Sequence, residues 1–153
     1  MVSSVMIVDP DRQRADALAL QARKYRTQVA TRGVFEEALK EILQRAPLLL
    51  LTHTLVGTSQ GVHLAQAAIR TNSNAHAVLY GGLPDLVVAR KMFSTKVFFE
   101  RLAFVRHSLP RYLTADLPGL DRRNVRVADR RTTFRGGRRA SDVEALWAQA
   151  RRH

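Results

Sequence analysis

The chain has 153 residues, 46% hydrophobic and 25% charged, enough apolar material for one packed domain and too much for wholesale disorder. It has no cysteine, which excludes disulfides, thiolate zinc sites and Cys nucleophiles. Lys and Arg number 25 against 13 acids, a formal net charge of +12, which points to an anionic partner: nucleic acid, nucleotide, acidic protein or anionic lipid.

Along the chain, Val5-Met6-Ile7-Val8 is a short apolar run stopped by Asp9-Pro10-Asp11 and predicts a buried strand. From Asp11 to about Tyr25, Ala15, Leu18 and Ala22 recur at helical spacing, with Asp11 as the cap. Thr27 to Thr31 predicts a second strand, closed by Gly33. Val34 to Arg45 predicts an amphipathic helix with Phe35, Leu39, Ile42 and Leu43 on one side, ended by Pro47. Leu48 to Leu51 is a continuous apolar strand of the kind covered on both faces. Helix and strand follow at Gly61 to about Thr71 and Ala77 to Tyr80. A helix is expected over Pro84 to Met92, a short strand over Phe93 to Thr95 and a last helix from Phe98 to about Leu109. Five β-α units in this order imply an α/β fold, a doubly wound parallel sheet with right-handed crossovers. Nothing at the N-terminus reads as a signal peptide and no apolar run reaches membrane-spanning length, so a cytoplasmic setting without a membrane is expected.

Pro118-Gly119 breaks the chain, and the expected division is a body at 1–117 and a tail at 118–153. The cations divide unevenly. Only Lys24, Lys40, Lys91 and Lys96 are lysines; from Gly119 to His153 there are 10 Arg, no Lys and 4 acids, a net of +6. Arg130-Arg131, Arg135-Gly136-Gly137-Arg138-Arg139 and Asp142 are the core of this stretch. Guanidinium groups stack on aromatic faces and donate paired hydrogen bonds, two glycines allow close backbone approach, and Ser141 is placed to cap a short helix bearing Trp147. Three readings stand: an arm that grips nucleic-acid phosphates, a guanine-nucleotide site in which Arg139 and Asp142 read a guanine edge, and a basic tail with no ligand or a helix docked on the body.

The body resembles the CheY-like receiver domain of bacterial response regulators, over about residues 3 to 113. The resemblance rests on the element order and on Pro47-Leu-Leu-Leu-Leu-Thr-His53 with Gly61 eight residues later. It implies a flavodoxin-like (βα)5 fold. His53 falls where receivers carry the phosphoacceptor Asp, and Lys96-Val97 where they carry Lys-Pro. Asp9 falls on the first of two acids that hold magnesium, with Pro10 in place of the second. The position of the switch Ser/Thr falls near Tyr80-Gly81-Gly82, which offers no hydroxyl of the right size. A degenerate receiver not switched by Asp phosphorylation is therefore expected, with no catalytic residue and no metal; His53, His63 and His76 are read as structural.

The string Asp129-Arg130-Arg131, Arg135-Gly136-Gly137-Arg138-Arg139, Asp142 is similar to the arginine-rich extension of CheY-like proteins that bind cyclic di-GMP, the Cle group. That resemblance implies a non-enzymatic signalling protein without cofactor. Its ligand is cyclic di-GMP, including the intercalated dimer, held by Arg130, Arg131, Arg135, Gly136, Gly137, Arg138, Arg139, Asp142 and Trp147. It also implies a protein partner, placed by family likeness at the flagellar motor. Nucleic acid is the alternative partner.

Overall fold

The computed structural model describes residues 2–82 and 96–114. Five parallel strands form one sheet: β1 (Ser4–Val8), β2 (Gln28–Arg32), β3 (Leu49–His53), β6 (His76–Tyr80) and β7 (Val97–Glu100), in the order β2-β1-β3-β6-β7. Helices α1 (Arg12–Arg23), α2 (Phe35–Gln44), α3 (Gly61–Thr71) and α4 (Val105–Thr114) cover it, and a two-stranded hairpin, β4 (Leu55–Val56) and β5 (Ser59–Gln60), follows β3. This is the flavodoxin-like architecture expected from the element order.

Strand alternation divides the interior into two layers. Val5, Ile7, Leu49, Leu51, Val78 and Tyr80 face α1 and α4, where Leu18, Ala22, Leu109 and Leu113 meet them. Met6, Val8, Leu50, Ala77 and Leu79 face α2 and α3, against Ala38, Ile42, Val62, Leu64 and Ala68. Leu49, Leu50 and Leu51 are wholly buried, which is why the middle strand reads as an unbroken apolar run rather than an alternating one.

Asp11 caps α1 as expected, its carboxylate accepting the Arg14 N–H. On α2, Ala38 and Ile42 are buried and Phe35 and Leu39 half-covered, but Leu43 is exposed. The last β-α unit differs from expectation. The strand is Val97–Glu100, and Phe98 belongs to it, not to the final helix, which begins at Val105. Phe98 packs into the α1/α4 layer and Phe99 into the α2/α3 layer, the period-two alternation of a strand. The expected helix over Pro84 to Met92, the strand over Phe93 to Thr95 and the whole of 118–153 lie outside the described residues. No described helix is long and apolar enough to cross a membrane.

His76 opens β6. It is 3% exposed, its Nδ1 lies 3.0 Å from the Asn74 carbonyl and its ring stacks on Phe98. Burial lowers its pKa, and the charge of Lys96 lowers it further. The unfolded chain binds this proton near the ordinary value of about 6.5 and the folded chain resists it. Stability is therefore complete above that pH and declines as pH falls below it. The urea midpoint should fall between neutral pH and mildly acid pH, and His76→Phe should flatten that slope. An unchanged slope in the variant would remove His76 as the cause.

Candidate functional site

In open α/β sheets the chemistry collects beyond the carboxyl ends of the strands. Here the strand register sets Val8 beside Thr52, His53 beside Tyr80, and Tyr80 beside Glu100. Asp9, the residue after β1, thus lies at the same end as His53 and Tyr80.

The Asp9 side chain is wholly buried, with Arg14 about one-quarter exposed beside it. Four donors fill its two oxygens. Oδ1 accepts from the Asp11 backbone N–H (2.8 Å) and from Arg14 Nη2 (2.8 Å). Oδ2 accepts from Arg14 Nε (2.6 Å) and from the Tyr80 hydroxyl (2.8 Å). The third guanidinium nitrogen, Nη1, lies 3.6 Å from Asp11 Oδ2. Asp9 raises the Arg14 pKa, chiefly through the hydrogen bond. Burial, then the neighbouring Asp9 charge, drive the Tyr80 phenol far above its ordinary value, so it stays a donor. A buried carboxylate survives only when paired and hydrogen-bonded, and this one is saturated.

Sequence reading singled out Asp9 and missed both partners. Arg14 had a signal: helical side chains lean toward the N-terminus, so a long cation in the first turn reaches back over the strand end. Tyr80 stands where a switch hydroxyl was sought, and the hydroxyl that the fold provides there is its phenol.

His53 closes β3 and is half-buried. Its Nδ1 lies 2.7 Å from the Leu55 carbonyl and 3.1 Å from the Leu55 nitrogen, so either tautomer of the ring has a partner in the Leu55 backbone. The ring meets Tyr80 edge to face at 5.7 Å. Its far side lies against Gly81, whose φ is +109°. The adjoining backbone is tied down: Thr52 Oγ1 donates to the His53 carbonyl (3.1 Å), Thr54 N–H to Tyr80 O (2.9 Å) and Gly61 N–H to Thr54 O (2.8 Å). His63 is an exposed residue of α3.

Lys96 does not join this cluster, and its expected alignment with the receiver Lys is corrected. It precedes β7, its carbonyl accepting the Ala77 N–H (2.8 Å), and its Nζ bonds the Ser73 carbonyl. That places it at the opposite end of the sheet. The cause is the shifted strand: with Val97–Glu100 as β7, the residues at the site end are Glu100 and Arg101. The expected ligand-binding residues Arg130, Arg131, Arg135, Gly136, Gly137, Arg138, Arg139, Asp142 and Trp147 lie outside the described residues.

The receiver likeness implies a divalent cation, and the residues here do not fit one. Magnesium needs open oxygen ligands in octahedral array. Both Asp9 oxygens are taken by four donors, Pro10 carries no acid, and Asp11 caps a helix while facing the same guanidinium. Among the described residues no group of three His, Asp or Glu side chains is placed to hold a metal.

Solved structures similar in fold include response regulators and receiver domains. One from Burkholderia pseudomallei, with a phosphorylated aspartic acid, a calcium ion and citrate, is 14% identical over 84% of this chain and 72% of its own, with a TM-score of 0.64. A response regulator receiver protein from Sinorhizobium medicae is 14% identical over 74% of this chain and 92% of its own, TM-score 0.62. A CheY-like receiver domain from Methanospirillum hungatei is 15% identical over 74% of this chain and 94% of its own, TM-score 0.59. These likenesses establish a receiver fold. No protein-family model and no curated protein matches the sequence.

Proposed function

We propose that this chain is a non-enzymatic signalling protein that binds cyclic di-GMP through its arginine-rich C-terminal stretch and relays that signal to a protein partner, with a receiver-fold body not switched by Asp phosphorylation. The observation that carries the reading is a pairing. The acid at the end of β1 is saturated by Arg14 and Tyr80 while His53 stands in the phosphoacceptor position, and behind that body comes a stretch with 10 Arg and no Lys. Phosphoryl transfer to a receiver needs an open carboxylate and a metal. A module without them needs another input, and planar cations beside paired glycines suit stacked guanines and phosphates. In this reading Arg139 and Asp142 take a guanine edge, Arg130, Arg131, Arg135 and Arg138 cover bases or phosphates, Gly136 and Gly137 give close approach, and Trp147 caps the stack.

Calorimetry of the full chain with cyclic di-GMP tests it. Micromolar binding corresponds to about 8 kcal/mol. Arg139→Ala or Asp142→Ala should weaken it by about 1–3 kcal/mol, the worth of a bidentate guanine contact. Absence of heat with the parent chain sinks the ligand; equal affinity in both variants sinks the site. Duplex DNA shifted with a steep salt dependence, and no nucleotide binding, would transfer the reading to nucleic acid.

A further inference from the structure

We propose that the Arg14 guanidinium is a built-in counter-cation, seated in the two-carboxylate pocket of Asp9 and Asp11 in place of a divalent metal, so that this end of the sheet holds one arrangement with no dissociable ion. All three guanidinium nitrogens face the pocket: Nε and Nη2 take both oxygens of Asp9 at 2.6 and 2.8 Å, and Nη1 faces Asp11 at 3.6 Å. The pocket's side-chain acceptors are oxygens only, the carboxylates of Asp9 and Asp11, of the kind that hard divalent cations take as ligands. What excludes such an ion is the tether. Arg14 rises from the first turn of the helix that Asp11 caps, so its charge is always at hand, and its planar fork matches a carboxylate in a way a spherical ion does not.

The consequence is mechanical. One carboxylate joins three elements: β1 through Asp9 itself, α1 through Arg14 and the Asp11 N–H, and β6 through Tyr80. Tyr80 carries the link to His53 through their ring contact and leads into Gly81 and Gly82. A metal ion could come and go with conditions; a covalently attached guanidinium cannot. This fixes the body without reference to any nucleotide, and its test contains none.

The test is thermal melting of the full chain in EDTA, in MgCl2 and in MnCl2. The parent chain should melt at one temperature in all three. Arg14→Gln should melt roughly 5–10 °C lower in EDTA, Asp9 retaining its two other donors, and should regain part of that loss in MnCl2 or MgCl2. The double variant D9N/R14Q should show no such regain. Should Arg14→Gln be unfolded in EDTA, the same titration reads refolding by the ion. Loss of stability without any response to either ion would make Arg14 a packing residue and overturn the proposal. A metal-dependent melt of the parent chain would overturn it too. Independently, sparing amounts of Mn²⁺ should broaden no amide signals of Asp11, Tyr80 or Gly81 in the parent chain; selective broadening there means an open ion site and defeats it.

Discussion

Gly61→Ala should leave little folded protein. Gly61 is the first residue of α3, and a Cβ on it would stand 2.1 Å from the His53 carbonyl oxygen, 2.8 Å from Thr52 Oγ1 and 3.1 Å from the His53 carbonyl carbon. The nearest of these is backbone of β3, the middle strand of the sheet, and cannot swing aside like a side-chain tip. Relief would require α3 to lift from β3 and β6, dragging Val62, Leu64, Ala65 and Ala68 out of the layer they share with Leu50 and Leu79. Overpacking that cannot relax falls in the exceptional class of substitutions, above about 4 kcal/mol, a large part of a typical domain's 5–15 kcal/mol. Gly57→Ala is the control. Gly57 has a φ of +65° and nothing within 4 Å of a Cβ, so its cost should be about 1 kcal/mol, from conformation alone. Urea midpoints and soluble yield separate the two. A Gly61→Ala chain within about 1 kcal/mol of the parent would mean that the β3–α3 junction has slack the packing denies.

The sequence exposes most of the frame because each central strand is bounded by its own punctuation. Asp9-Pro10, Gly33, Pro47 and Gly61 end or begin elements where they stand. The last unit is less transparent. Phe98, Leu102, Val105 and Leu109 fall at helical spacing by coincidence, so the run from Phe98 onward imitates one amphipathic helix. Tertiary position decides otherwise: β7 is the edge partner of β6, and Val97 and Phe99 are needed in one layer and Phe98 in the other. That shift carries Lys96 to the far end of the sheet with it. The short hairpin β4–β5 was also hidden, since two-residue strands leave no period to read.

The site divides in the same way. Asp9, His53 and Tyr80 were legible as positions along three strand ends, because strand ends are set by the frame. Their chemistry was not. Whether Asp9 is open or saturated depends on Arg14, a surface-looking helix residue whose reach is decided by side-chain direction and by the burial of its acceptor. One-dimensional spacing records neither. His53 reads from the sequence as a structural histidine, but what it supports does not: its contacts make it a wedge between Leu55, Tyr80 and Gly81.

That wedge role has a measurable consequence in the pair His53 and Gly81. Gly81 sits at φ +109°, and a Cβ there would be 2.4 Å from His53 Nε2 and 2.9 Å from both Cδ2 and Cε1. Two separable costs follow for Gly81→Ala. The backbone conformation disfavours any L side chain by about 1–2 kcal/mol whatever surrounds it. The overlap with the imidazole adds about 1–3 kcal/mol, because the ring is not free to turn away: Nδ1 is engaged with Leu55 and the ring stands against Tyr80 at an interplanar angle of 89°. With His53→Ala already in place, only the first cost remains. A double-mutant cycle on chemical denaturation should therefore give Gly81→Ala about 2–5 kcal/mol in the parent and about 1–2 kcal/mol in the His53→Ala background, a coupling of about 1–3 kcal/mol. Additive effects would show that the ring yields without resistance. The stated coupling would show that the His53 side chain is built into the turn that follows β6, so that removing it leaves a space beside Gly81.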